Sequence, residues 1–213
     1  MTETILFGNP ASTYVRTVRL ALEEKGAKYR IEEIDLKDPA YAARHPFRRM
    51  PSFEHDGVRL FETQAICRYV DEAVAGPALQ PGDALGRARM EQWVSAVCDY
   101  LYPTAIRGYV LHYVFARRDG REPDRAAIAQ SLPTVKERLG IFDAALGKGT
   151  YLAGDKLSIA DLFLAPIAFY VCRAMPEKDQ MIAGRANLAR WLAAMESRPS
   201  FAATMPPLAQ AAE

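Results

Sequence analysis

The chain lacks the features that would tie it to nucleic acid, to a metal or to a membrane. Its 27 Lys and Arg residues face 26 Asp and Glu residues, so the net charge of +1 offers no basic surplus for phosphate. Three cysteines and three histidines, all scattered, are too few for a disulfide framework or a zinc site. The longest apolar run, residues 162–172, falls short of the roughly 20 residues of a membrane span and predicts a buried helix instead.

The remaining composition is that of an ordinary globular protein. Half of the 213 residues are hydrophobic and a quarter are charged, which excludes a disordered chain and allows one large domain or two modest ones. The N-terminus has no basic region followed by a long apolar stretch, so no secretory signal is expected. We therefore expect a soluble, cytoplasmic protein.

The first third of the chain alternates short apolar strands with amphipathic helices. Residues 4–7 predict a buried strand, a helix follows from about Ser12 to a stop at Gly26, and a second strand surrounds Ile31. A strand, a helix and a strand in this order predict parallel pairing. After an irregular stretch over residues 37–49, the remaining elements are a hairpin and a helix.

The hairpin and the helix follow directly from local signals. Asp56-Gly57 separates two short apolar segments and is a strong hairpin turn. The helix begins near Thr63. Residues 1–76 are therefore predicted to form a small mixed α/β domain.

Beyond a linker at residues 77–82, every pattern is helical. One long helix is expected over about residues 86–116 with a bend at Pro103, and a second over about residues 124–146. Ser158 and Asp161 have the spacing of a helix-capping box. Residues 83–213 are therefore predicted to form an all-α domain.

Four segments, in order, resemble the soluble glutathione transferases, most closely the phi-like members that use serine. They are residues 7–12 with Arg16 and Val18, the His-Pro-Phe-Arg-Arg-Met-Pro run at 45–51, the Leu-Phe-Glu-Thr-Gln-Ala-Ile run at 60–66, and the Ser158–Asp161 capping box. The resemblance covers nearly the whole chain. It implies a thioredoxin-like N-terminal domain with a mixed four-stranded sheet, an all-helical C-terminal domain, and a cis peptide bond before Pro51.

The resemblance assigns thiol activation to Ser12. A hydroxyl that donates a hydrogen bond to the sulfur, at a helix N-terminus with its positive potential, favours the thiolate of glutathione. The residues alone leave a second interpretation open, in which Ser12 is only a helix N-cap. Thr13 and Tyr14 are rival hydroxyls.

The resemblance also assigns the glutathione contacts. Glu62 and Thr63 would hold the γ-glutamyl end at a helix N-terminus, while Met50 and Pro51 would pair with the cysteinyl backbone. From the residues alone, Thr63 caps the helix, binds the ligand, or does both.

Two departures affect the glycyl end of glutathione. Arg48-Arg49 stands where the family has Gly-Gln, so Arg49 is either a ligand for the glycyl carboxylate or a solvated arginine. The segment 35–39 is shorter than in phi-like members and lacks their His-Lys pair, which leaves Lys37 as the replacement.

Aromatic residues are the candidates for the second substrate and for assembly. Tyr14, Tyr109, Tyr113 and Phe115 are predicted to line an apolar site for the electrophile, with helix packing as the alternative. Phe47 matches the aromatic residue that inserts into the partner of a phi-like homodimer, with packing inside its own domain as the alternative.

The sequence thus predicts a detoxifying transferase that conjugates glutathione, as co-substrate, to small hydrophobic electrophiles without a metal or redox cofactor. The alternatives are a non-catalytic binding or interaction protein of the same fold and a glutathione-dependent peroxidase, which needs the same thiolate. No nucleic acid or membrane is expected as a partner.

Overall fold

The computed structural model describes residues 3–206 and divides into two compact units. The first contains the described residues up to Gln80 together with those from Ser197 onward, and the second is Pro81–Glu196. The division between Gln80 and Pro81 lies inside the expected linker. The segment that begins at Ser197 was expected in the helical domain but belongs to the first unit, while residues 207–213 of that predicted domain lie outside the described residues.

A four-stranded mixed sheet is the centre of the first unit, as the sequence predicted. Its strands are β1 (Thr4–Phe7), β2 (Arg30–Glu32), β3 (Ser52–His55) and β4 (Val58–Phe61). Their order is β2-β1-β3-β4, and β1 is parallel to β2 and antiparallel to β3, which is antiparallel to β4. The predicted hairpin turn is present, because Asp56 and Gly57 adopt φ values of 48° and 78° as a tight two-residue turn requires.

The described residues of the first unit also form three α-helices, of which the third contacts the first. They are α1 (Thr13–Glu24), α2 (Thr63–Ala73) and, near the C-terminus, α9 (Pro199–Ala203), and a 3₁₀ helix covers Pro39–Ala43. The core has fully buried members from a strand and from both longer helices, among them Leu6, Leu20 and Ile66. Their burial supplies the hydrophobic stabilisation of this unit.

Lys25, just after α1, holds the end of the first unit in place. Its buried ammonium group donates to the Asp71 carboxylate at 3.2 Å and to the carbonyl oxygens of Gly76 and Pro77 at 3.4 and 3.1 Å. Asp71 in turn accepts the Leu79 amide at 2.7 Å. The first half of the expected linker is therefore an ordered part of the first unit.

The second unit is helical, as predicted. Its α-helices are α3 (Ala84–Ala96), α4 (Leu111–Arg118), α5 (Arg125–Leu146), α6 (Ile159–Phe169), α7 (Lys178–Ile182) and α8 (Ala186–Glu196). Residues 158–172 are buried throughout, which confirms the buried helix predicted for the longest apolar run. None of the helices in the described part of the chain is long and apolar enough to cross a membrane.

The long helix expected over residues 86–116 has a more complex form. Two π-helical stretches, Val97–Leu101 and Pro103–Val110, separate α3 from α4. Pro103 has no amide hydrogen and its ring crowds the preceding turn, so the regular α-helical ladder of hydrogen bonds gives way to wider turns on both sides of it.

Asp161 is the polar centre of the second unit. The structure contains the capping box of Ser158 and Asp161. The fully buried carboxylate accepts the amides of Leu152 and Ser158, both at 3.0 Å, the Ser158 hydroxyl at 2.9 Å and the Trp191 indole at 3.0 Å. Burial raises the pKa of this carboxyl group, and the four hydrogen bonds oppose that shift. One carboxylate thus joins the start of α6 to the loop before it and to α8.

We predict that Asp161→Asn lowers the free energy of unfolding by about 2–4 kcal/mol, since buried donors lose a charged acceptor. Asp143→Asn is the control, because the Asp143 carboxylate is only half-buried and caps α8 through the Leu188 amide at 2.9 Å. Because asparagine keeps an oxygen that can accept this amide, the loss is expected to be below about 1 kcal/mol. Chemical denaturation measures both, and equal effects of the two substitutions would contradict the central role of Asp161.

Candidate functional site

The sheet register brings the predicted glutathione contacts to one edge. Phe7 pairs with Ser52 and Ser52 with Phe61, so the end of β1, the start of β3 and the end of β4 lie side by side. The chain continues from these three points into the turn to Ser12, into Met50-Pro51 and into Glu62-Thr63. Phe7 also pairs with Glu32 of the parallel strand β2, so the loop that carries Lys37 leaves the same edge.

Ser12 is the N-cap of α1 and keeps a proton to donate. Its backbone is extended, with φ −69° and ψ 131°, and its hydroxyl oxygen accepts the Val15 amide at 3.4 Å. A serine hydroxyl can accept one hydrogen bond and donate another at the same time. The two interpretations of Ser12 from sequence, cap and activating donor, are therefore compatible.

Met50 packs directly on the turn that leads to Ser12. The Asn9 amide donates to the Met50 sulfur at 3.5 Å. Gly8, at φ +154°, has no room for a side chain, because an added Cβ would lie 2.5 Å from a Val15 methyl group and 3.4 Å from the Met50 Cβ. The peptide bond between Met50 and Pro51 is cis, as the resemblance implied, and Pro51 is buried. The turn before α1 and the loop before β3 thus form one packed surface.

Tyr41 fixes the loop before Pro51, a role that no pattern in the sequence indicates. Its buried hydroxyl contacts the Arg49 carbonyl oxygen at 2.9 Å and the Ser52 hydroxyl at 3.2 Å. The Arg49 side chain remains exposed. Arg48, at φ +48°, occupies a left-handed conformation that suits the glycine of the family motif. An isolated aromatic residue in an irregular segment has no periodicity that would single it out.

Glu62, rather than Thr63, is the N-cap of α2. The Glu62 backbone has φ +68°, and its side chain makes no capping hydrogen bond to the helix. Thr63 is the first helical residue and is buried, which corrects the interpretation of Thr63 as the cap. The positive N-terminal end of this 11-residue helix therefore lies at the same sheet edge, and the Glu62 carboxylate makes no hydrogen bond to the amides of its first turn.

The basic side chains near this edge are divided between ion pairing and solvent. Arg44 donates to Glu54 at 2.9 Å and its guanidinium lies 3.9 Å from the centre of the Phe7 ring. Lys37 is exposed in a turn whose backbone amide donates to Asp35 at 2.8 Å. Lys37 and Arg49, the candidates from sequence for the glycyl carboxylate, are thus both exposed to solvent. Within residues 3–206, no group of His, Cys, Asp and Glu side chains has a metal-binding arrangement.

Two of the aromatic candidates of the second unit share one carboxylate that the sequence did not indicate. Tyr109 and Tyr113 donate their hydroxyls to the two oxygens of Glu177, each at 2.7 Å. Tyr109 is fully buried, so its ring packs inside the unit. Burial, with Glu177 beside it, raises the pKa of Tyr113 to about 12. Phe115 is 39% exposed, whereas Tyr14 lies half-buried on α1 of the first unit.

Comparison with known proteins gives matches along nearly the whole chain. Residues 6–78 match the model of the glutathione S-transferase N-terminal domain, and residues 97–199 match that of its C-terminal domain. Glutathione S-transferase 4 of Zea mays is 31% identical over 200 residues, which are 92% of this chain and 88% of that protein.

Solved structures give the same result. Glutathione transferase F2 of Populus trichocarpa is 31% identical with a TM-score of 0.85, over 94% of this chain and 96% of that one. Glutathione S-transferase I from mais, in complex with an atrazine glutathione conjugate, is 25% identical with a TM-score of 0.85, over 99% and 100% of the two chains. The fold is thus a thioredoxin-like domain followed by a helical domain. The chain belongs to the glutathione S-transferase family.

We predict that Tyr41→Phe destabilises the first unit by about 1–2 kcal/mol, because the Arg49 carbonyl oxygen and the Ser52 hydroxyl lose a buried partner. It should also weaken glutathione binding, since the loop that carries Met50 and Pro51 is released. Tyr69→Phe removes the same atom from a half-buried tyrosine of α2 and is the control. Urea unfolding and calorimetric titration with glutathione measure both effects, and indistinguishable variants would refute the role of Tyr41.

Proposed function

We propose that this protein activates the glutathione thiol and conjugates its sulfur to small hydrophobic electrophiles. The observation that carries the proposal is the meeting of Ser12, Met50-Pro51 and Glu62-Thr63 at one sheet edge, with two helix N-termini directed there. Positioning of the sulfur and stabilisation of its thiolate supply most of the rate increase.

Thiol activation is a matter of charge stabilisation. A free thiol has a pKa near 8.5, so only a few per cent is thiolate at neutral pH. Ser12 donates its hydroxyl hydrogen to the sulfur, and the N-terminus of α1 adds positive potential, so the thiol proton leaves to solvent more readily. The thiolate lone pair then forms the bond to an electrophilic carbon, and either a leaving group departs or a proton is taken up from water.

The peptide part of glutathione extends along the sheet edge. The backbone at Met50 and Pro51 pairs with the cysteinyl residue as a strand would. The γ-glutamyl carboxylate binds at the N-terminus of α2 beside Thr63, and the exposed Glu62 carboxylate faces the ammonium group. Arg49 and Lys37 are the cations for the glycyl carboxylate.

The electrophile is held by aromatic side chains. In the second unit Tyr113 and Phe115 contribute ring surface, and Tyr109 supports Tyr113 through their shared acceptor Glu177. Tyr14, on α1, is the aromatic candidate of the first unit. The cysteines of the described residues form no disulfide bond, which suits a reducing compartment such as the cytoplasm, where glutathione is the thiol co-substrate.

The central prediction concerns Ser12→Ala, which removes the donor while the glutathione contacts remain. Turnover at neutral pH should fall about ten- to a thousandfold, the scale for one preorganised donor, with little change in glutathione affinity. The deficit should shrink as pH rises, because solvent then deprotonates the thiol unaided. Conjugation rates over a pH series and a glutathione titration measure these effects.

Two further variants separate the cap from the donor. Ser12→Ala also costs about 1 kcal/mol of stability through the lost cap. Ser12→Asp keeps a good cap but presents an anion to the sulfur, so it should be stable and inactive. Full activity of Ser12→Ala together with loss of activity in Tyr14→Phe would assign the activating hydroxyl to Tyr14. Glutathione binding without turnover on a panel of electrophiles would favour a non-catalytic binding protein.

Phe47 is proposed as the anchor of a homodimer. It is 71% exposed and packs beside two aromatic rings, with centroid distances of 6.3 Å to His45 and 6.5 Å to Phe61. Phe61 is itself 37% exposed, so the end of β4 and the loop before Pro51 present one apolar surface. Burial of such an aromatic residue can dominate an interface.

We predict that Phe47→Ala weakens dimerisation by about 2 kcal/mol or more, roughly thirtyfold in the dissociation constant, with the monomer fold intact. Ile141→Ala is the control, because Ile141 is also exposed, at 53%, but lies on α5 of the other unit. Sedimentation over a concentration series measures the constants. A wild-type protein that sediments as a monomer at micromolar concentration would disprove the assignment.

A further inference from the structure

Arg16, on α1, contacts the C-terminal segment of the chain, which has no part in the thiol activation described above. The side chain is fully buried, and its guanidinium lies 4.1 Å from the centre of the Phe201 ring. It donates to the Phe201 carbonyl oxygen, to the Thr204 hydroxyl and to the Met205 sulfur, each at 3.4 Å. Arg16 therefore binds the C-terminal end of α9.

Arg19, one turn further along α1, extends the same attachment. Its guanidinium donates to the carbonyl oxygens of Ala203 at 2.9 Å and Thr204 at 3.3 Å. The last carbonyl groups of a helix have no partners within the helix and form its negative end, so two arginines are favourable there. The end of α9 is thus capped by α1 side chains.

A second attachment of the same segment lies at the opposite end of α1. Arg198 contacts both oxygens of Glu24 at 2.7 and 2.6 Å, and the Ser200 hydroxyl donates to the same carboxylate. Burial alone would raise the pKa of Glu24, but the hydrogen bonds and charge of Arg198 and Ser200 hold it below the ordinary value. This contact secures the segment without touching the first turn of α1.

Arg16 is joined directly to the backbone of Ser12. The Arg16 amide donates to the Ser12 carbonyl oxygen at 2.9 Å as one of the first hydrogen bonds of α1. On the other side, Val15 is fully buried against Gly8, where no additional atom fits. The first turn of α1 is therefore held between the Gly8 turn and α9, and a shift of Arg16 would move Ser12.

We propose that Arg16 is a positioning residue for the Ser12 hydroxyl, with α9 as the support against which it acts. The proposal rests on the proposed function of Ser12. The C-terminal segment then contributes to thiol activation although it is more than 180 residues away in sequence from Ser12. Loss of the Arg16 contacts should displace the first turn of α1 and weaken the hydrogen bond to the sulfur.

The test compares Arg16→Met with Arg198→Met, since each removes one attachment of the same segment. The pKa of the enzyme-bound glutathione thiol is measured from the ultraviolet absorbance of the thiolate. We expect Arg16→Met to raise this pKa by about half to one unit, which lowers the thiolate fraction at neutral pH about three- to tenfold. Arg198→Met should lower the thermal stability and leave the pKa of the bound thiol at the wild-type value.

Each other outcome has a definite meaning. If the bound thiol has a pKa below that of free glutathione in the wild-type protein and the same pKa in Arg16→Met, the positioning role alone is overturned. If the bound thiol of the wild-type protein has the pKa of free glutathione, the role of Ser12 is overturned as well. Equal shifts in both variants would mean that the segment acts only through general stability. If Arg16→Met does not fold, Thr204→Val removes the Nε acceptor and keeps the shape of the side chain, and it must shift the pKa in the same direction.

Discussion

The row of paired residues Phe7, Ser52 and Phe61 is the constraint on which the candidate site depends. One pairing joins β1 to β3 and the other joins β3 to β4. A slip of one residue in either pairing would turn alternate side chains to the wrong face and separate the three segments that leave this edge. The buried strand β1, the tight turn at Asp56-Gly57 and the Tyr41 contact to Ser52 all act to hold that register.

The first turn of α1 satisfies two requirements with the same atoms. The helix needs an acceptor for its free amides, and the thiol needs a donor and a positive potential. In the proposed mechanism Ser12 provides both, because its oxygen accepts from Val15 while its hydrogen is available to donate. Because one hydroxyl serves both purposes, its position matters. Val15 packs tightly against Gly8 on one side of this turn, and Arg16 contacts α9 on the other.

Local signals were enough to predict most of the fold. Apolar runs, Asp56-Gly57 and Gly26 indicated the strands, the hairpin and the end of α1, and motif order indicated cis Pro51. Contacts between segments that are distant in the chain are not indicated by any local pattern in the sequence. Tyr41 bonds to the loop before β3, Lys25 to the end of the first unit and Arg16 to α9. No periodicity in the sequence relates the residues that these bonds join. For the same reason, the sequence did not indicate that the residues from Ser197 onward group with the first unit.

A crystal structure with bound glutathione tests the central claim most directly, namely that one sheet edge binds the tripeptide and that Ser12 faces its sulfur. The account predicts the sulfur within about 3.5 Å of the Ser12 hydroxyl oxygen. It also predicts the cysteinyl backbone paired with Met50 and the γ-glutamyl carboxylate at the N-terminus of α2. Glutathione bound elsewhere, or with its sulfur nearer to the Tyr14 hydroxyl than to that of Ser12, would contradict it.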